Sequence, residues 1–241
     1  MKNNFKIVLI IAFTIVFYYV FLSVIPKLDI FDELKKNSSL IGNGDITQSC
    51  FLIFSVLILI AFKKGNFKEF GFRKASFKQI IKPVPISIGV AFLTIILNVI
   101  TMMTNSSSNN SESSIFRDKN IFETILSVWI LASICEEIFW RGLVLGFLSP
   151  LTKAGITIFK KFLSVPVIIS GLLFGLGHFC LLSSMNSRIV INIVISVTIL
   201  GLIAGYHREK SGSLLPAIIV HLTFNIVGTM IPFILISLSG N

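Results

Sequence analysis

A chain that places charged side chains inside apolar segments long enough to span a bilayer has few folds open to it. This one does so repeatedly. Glu136-Glu137-Ile138-Phe139-Trp140-Arg141, Phe174-Gly175-Leu176-Gly177-His178 and His221-Leu222-Thr223-Phe224-Asn225 each lie within such a segment. A charge at bilayer depth costs about 2.5–3.5 kcal/mol on insertion scales, so it faces a protein interior or a wet cavity and marks function. Two carboxylates, a guanidinium, two imidazoles and an amide on three separate spans are therefore expected to gather into one polar site. The expected fold class is all-α, a polytopic transmembrane helical bundle.

Composition agrees. Of 241 residues, 54% are hydrophobic and 13% charged, which excludes an ordinary soluble domain. The length leaves no room for a bundle plus a soluble catalytic domain of usual size, so any chemistry is expected from the spans or their short loops. Seven spans are expected, at about 6–25, 49–62, 80–103, 121–148, 162–182, 188–206 and 214–238, with an eighth if one of the long ones is split. The second is short for a full crossing. The first begins with the basic stretch Met1–Lys6 but has no small-residue cleavage site, so it reads as a span and not as a signal peptide.

The net charge of +10 is distributed like that of a membrane protein. Seven basic residues from Lys63 to Lys82 fall between apolar segments, where they read as a cytoplasmic loop near anionic lipid headgroups. No aromatic-basic recognition motif accompanies them, so no nucleic-acid partner is expected. With the N-terminus inside, 14 basic residues lie in cytoplasmic segments and 6 outside, which predicts an N-in, C-out topology. The three cysteines, Cys50, Cys135 and Cys180, lack metal-ligand spacing and read as packing residues.

Residues 104–120 form a Ser/Asn-rich flexible loop. It divides N-terminal spans (1–103) from a membrane core (121–238) that holds every polar motif. Within the core, Glu137 and Arg141 are four residues apart and are expected to pair on one helix face. Glu136 lies about 100° around the helix and needs another partner. One acid is thus held and the other left free, which suits a general base with a structural neighbour. Gly175 and Gly177 permit a close helix approach that brings His178 near another helix. His221 and Asn225 share a face and can together donate hydrogen bonds to an oxyanion. Pro216 is expected to start or kink their helix. Tyr206–Lys210, with His207, reads as a solvated charged loop, and Asn98 and Asn192 as packing polar groups within spans.

These motifs, in this order, resemble the CAAX protease and bacteriocin-processing (Abi) family of intramembrane endopeptidases. The family pattern is E-E-x-x-x-R, F-x-x-x-H and H-x-x-x-N on transmembrane helices. Gly142-Leu143 and Gly212-Ser213-Leu214-Leu215-Pro216 also look like the family, and the resemblance covers about residues 120–230. It implies that Glu136 and His178 activate a water, that Glu137 and Arg141 orient the site, and that His221 and Asn225 stabilise the oxyanion. It leaves metal dependence open. Glu136, His178 and His221 are the ligand set a Zn2+ ion would use, but a metal-free, glutamate-dependent hydrolysis is the favoured expectation. The substrate expected is a membrane-associated peptide or protein, with membrane lipid as the other partner, in a bacterial cytoplasmic membrane. Two competing functions have different signatures. A non-enzymatic bacteriocin-immunity or scaffold protein would bind without cleaving, and a small transporter would show potential- or pH-dependent flux.

Overall fold

Apolar helices build the protein, and their outward faces stay apolar. The computed structural model describes residues 2–20, 24–29, 31, 32, 43–63, 67–104 and 121–239. The expected Ser/Asn-rich loop lies outside these residues except for Thr104. The helices are α1 (Lys2–Tyr19), α2 (Asn43–Lys63), α3 (Phe77–Ile81), α4 (Val84–Thr104), α5 (121–148), α6 (Val165–Gly177), α7 (Ser187–Ser211) and α8 (Leu215–Ser239). Among the described residues four helical stretches are long and apolar enough to cross a membrane: Phe77–Thr104, Val165–Ser183, Ser187–Ser211 and Leu215–Ile234. Val8–Tyr19 and Asp45–Ala61 are shorter apolar helices. The fold is the expected all-α polytopic bundle, with side chains such as Ile96, Leu172, Ile195 and Ile234 left exposed on its outside, where lipid would lie.

Helix α7 is the central element. Half of its apolar window is buried, against 17–33% for the other three, and it packs on α4, α6 and α8. Asn192 of α7 donates to Asn98 (3.2 Å) and Thr101 (2.9 Å) of α4, the interhelical packing role expected of both asparagines. The N-terminal helices join the same core. Phe17 of α1 stacks on Phe139 of α5 with ring centroids 4.9 Å apart, Phe51 of α2 lies 5.1 Å from the same ring, and Ser87 of α4 donates to the Val220 carbonyl of α8.

Two segments differ from the expectation. Tyr206–Lys210 is not a loop, because α7 continues to Ser211. Arg208 and Lys210 sit in its last turn, where cations suit the helix dipole, and Gly212 ends it in the left-handed conformation (φ 69°). Arg208 is buried rather than solvated, and donates to the Glu69 carbonyl at 2.7 Å. The fifth expected span begins later than read. Residues 155–164 form a small antiparallel hairpin, β1 (Gly155–Ile158) and β2 (Lys161–Ser164), turning at Phe159 and Lys160 with positive φ. Ser164 then caps α6, accepting from Val167 N, and Pro166 occupies the first turn. Pro216 likewise sits in the first turn of α8, so it starts that helix.

Candidate active site

Helix α5 carries the two glutamates on an ordinary α-helical stretch, Ser133–Glu137, set between two π-helical stretches, Thr124–Ala132 and Ile138–Val144. Wide π turns are uncommon and recur at functional sites, because they re-aim side chains and release backbone groups. Across the second of them, Arg141 Nη1 donates to Glu137 Oε1 at 2.9 Å, as the four-residue spacing predicts. Both side chains are fully buried. The same carboxylate oxygen lies 3.0 Å from His221 Nδ1, delivered by α8. Glu137 Oε2 and Arg141 Nε and Nη2 have no hydrogen-bond partner among the described residues.

Phe174 separates the charged groups. The Arg141 guanidinium carbon sits 4.4 Å above its ring, and the His178 and His221 rings meet it edge-on at 4.9 and 5.4 Å. The close approach that places them depends on glycine. A side chain at Gly175 would collide with Thr198 of α7, and one at Gly177 with Tyr18 of α1. His178 opens a 3-10 extension of α6, His178–Ser183, and its Nδ1 lies 2.9 Å from the Phe174 carbonyl. A carbonyl oxygen only accepts, so Nδ1 carries the hydrogen and Nε2 of the neutral ring keeps a lone pair.

Glu136 is only partly buried and has a separate set of neighbours. Gln48 of α2 donates its amide to Glu136 Oε1 at 2.5 Å. Its charge is within electrostatic reach of His178, Tyr18 and Cys180. The Tyr18 hydroxyl donates to the Gly177 carbonyl at 2.6 Å and lies 3.7 Å from Cys180 Sγ. Asn225 faces α5 as well, but its amide nitrogen donates to Val128 O (2.9 Å) and Ser133 Oγ (3.2 Å). Both amide hydrogens are thereby engaged.

The three motifs thus converge from α5, α6 and α8, with a partly buried acid (Glu136) beside a fully buried, ion-paired one (Glu137). Such a pair can separate a proton-accepting carboxylate from a charge that steadies an imidazolium. A metal does not fit equally well. Among the described residues no three His, Cys, Asp or Glu side chains come together as a ligand set, so Glu136, His178 and His221 are not gathered on one point. Cys50, Cys135 and Cys180 are free thiols, with Cys135 fully buried.

Sequence reasoning missed Gln48 and Tyr18, and treated Phe174 as a motif letter without a role. Gln48 stands one residue ahead of the expected second span, and a polar amide so close to an apolar run was the available signal.

Residues 118–227 match the family model described as type II CAAX prenyl endopeptidase Rce1-like. No curated protein and no solved structure matches the chain. The matched stretch contains all six expected site residues, whereas Tyr18 and Gln48 lie before it.

Proposed function

Since residues 118–227 carry a domain of the Rce1-like CAAX endopeptidase family, we propose that the protein is an intramembrane endopeptidase that uses Glu136 and His178 to activate water. The observation that carries this reading is the unequal treatment of the two acids. Glu137 is tied to Arg141 and His221, whereas Glu136 is held by a neutral amide.

In the proposed reaction the water oxygen attacks the peptide carbonyl carbon while one water proton passes to the Glu136 carboxylate. His178, fixed through Nδ1, offers Nε2 as a hydrogen-bond acceptor to the same water. The carbonyl π electrons move to oxygen, and His221, held through Nδ1 by Glu137, donates Nε2–H to that oxyanion when its ring carries a second proton. Asn225 joins it by releasing Ser133 Oγ, the longer of its two present hydrogen bonds. Collapse expels the amine, which takes the proton from Glu136, and the second water proton leaves as the new carboxyl group ionises.

The substrate we propose is a membrane-associated peptide or protein, and the setting bacteriocin self-immunity or peptide maturation in a bacterial membrane with the N-terminus cytoplasmic. The charge bias of the loops supports that orientation. The test is cleavage of a membrane-peptide pool by the purified protein in detergent, read by mass spectrometry, with and without chelator. New termini that persist in chelator and vanish in His178→Ala are the expected result. Identical peptide patterns from wild type and a folded His178→Ala protein would shift the reading to a binding or immunity protein.

A further inference from the structure

Gln48 lies outside the matched domain, yet it touches the residue on which the proposed chemistry turns. Resting on the hydrolase reading above, we propose that Gln48 is a positioning residue for Glu136, supplied by the N-terminal helices to complete the site.

Three observations support this. The first is the contact itself: Gln48 Nε2 to Glu136 Oε1 at 2.5 Å, between residues 88 apart in sequence. A carboxylate only accepts, so the orientation of the Gln48 amide is chemically determined, with its nitrogen toward Glu136. The second is register. Gln48 and Phe51 are three apart on α2, Glu136 and Phe139 are three apart on α5, and Phe51 packs on Phe139 with centroids 5.1 Å apart. Residues three apart share a helix face, so a buried aromatic contact one turn away sets the height of Gln48 against Glu136. The third is the other end of the amide. Gln48 Oε1 is buried and has no hydrogen-bond partner among the described residues. With its nitrogen committed to Glu136, this oxygen is left to accept from a donor brought by the reaction, either the attacking water or a substrate N–H.

A glutamine suits this place better than a cation. Arg141 offsets the charge of Glu137 in a buried ion pair. An amide orients a carboxylate without cancelling its charge. Gln48 therefore limits the rotation of Glu136 without adding a countercharge, which acts on turnover rather than on the affinity for substrate.

The experiment compares full-length wild type, Gln48→Leu, Gln48→Glu, Glu136→Gln and the Gln48→Leu/Glu136→Gln double variant in detergent. The probes are internally quenched peptides with apolar residues around the scissile bond and a farnesylated CaaX peptide. Gln48→Leu is expected to lower kcat about 10- to 100-fold with KM within about threefold, and to unfold at the wild-type temperature. In the Glu136→Gln background the same change should cost nothing further, because the two residues act as one unit. Gln48→Glu should recover activity at acid pH, where one proton can be shared between the two carboxyl groups. A second readout needs no substrate: the infrared carboxylate band that disappears in Glu136→Gln should shift in Gln48→Leu. An unshifted band, or a Gln48→Leu protein with wild-type kcat, overturns the proposal. A wild type that cleaves neither probe class overturns the hydrolase reading instead, and the infrared band then decides whether Gln48 positions Glu136.

Discussion

His221 Nδ1 lies 3.0 Å from Glu137 Oε1, joining two helices whose contacting residues are 84 positions apart in sequence. Because that oxygen also accepts from Arg141, a single buried carboxylate fixes both a guanidinium and an imidazole. Carboxylate-backed histidine is a recurring way to hold a ring in one tautomer and to stabilise its protonated form during a reaction. The same contact anchors α8 to α5, so the site and the bundle share a stabilising element.

Breaking the pair from one side should therefore be costly. Arg141→Leu leaves the Glu137 charge buried with less compensation, and should destabilise the protein by about 3–5 kcal/mol. Adding Glu137→Gln to Arg141→Leu should restore part of that loss, since no uncompensated charge then remains. Thermal unfolding of the single and double variants in one detergent measures both effects. Additive losses would contradict the ion-pair account.

The close packing of α6 on α7 makes a second prediction. A Cβ at Gly201 would lie 2.8 Å from Arg141 Nη2 and 3.0 Å from Gly171 Cα, whereas one at Gly89 would meet nothing within 4 Å. Gly201→Ala should cost about 1–3 kcal/mol through overpacking and should disturb Arg141. Gly89→Ala should instead be neutral or stabilising by up to about 1 kcal/mol, as expected for an uncrowded helical glycine. Melting temperatures of the two variants, measured side by side, check the contrast.

Tyr18 gives a third. Its hydroxyl donates to the Gly177 carbonyl, immediately ahead of His178. Tyr18→Phe removes that bond together with the 3.7 Å contact to Cys180 Sγ and leaves the ring in place. Stability should fall by about 1 kcal/mol, with a kcat loss smaller than that of any Glu136 or His178 variant. A Tyr18→Phe protein as inactive as His178→Ala would assign the hydroxyl a direct part in the reaction.

Much of this was legible from residue spacing. The Glu137–Arg141 pair follows from four-residue periodicity, and the shared face of His221 and Asn225 appears in their contacts to α5. The roles of Gly175 and Gly177 as points of close approach follow from residue size. What spacing could not supply is the contact between distant segments. Nothing local to Gln48 says that it meets Glu136, because that meeting is set by Phe51 packing on Phe139. Phe162–Ser164, the end of the hairpin at 155–164, reads as the start of the fifth span because Phe162 and Leu163 are apolar. The length of α7 was hidden by the charged run at 206–210. There Arg208 finds the Glu69 carbonyl, a partner on a short 3-10 turn more than a hundred residues earlier. Asn225 shows the limit most clearly, since spacing gives its helix face but not its partners, the Val128 carbonyl of a π-helical stretch and Ser133 at the start of the α-helical one.

The central claim is that Glu136 accepts the proton from the attacking water. Its most direct test is kcat/KM for one cleaved peptide, measured for wild type and Glu136→Gln, a substitution that keeps the shape of the side chain and removes its charge. The account predicts a loss of about a thousandfold or more with an unchanged melting temperature. A Glu136→Gln protein that is folded and cleaves within about tenfold of the wild-type rate would contradict it.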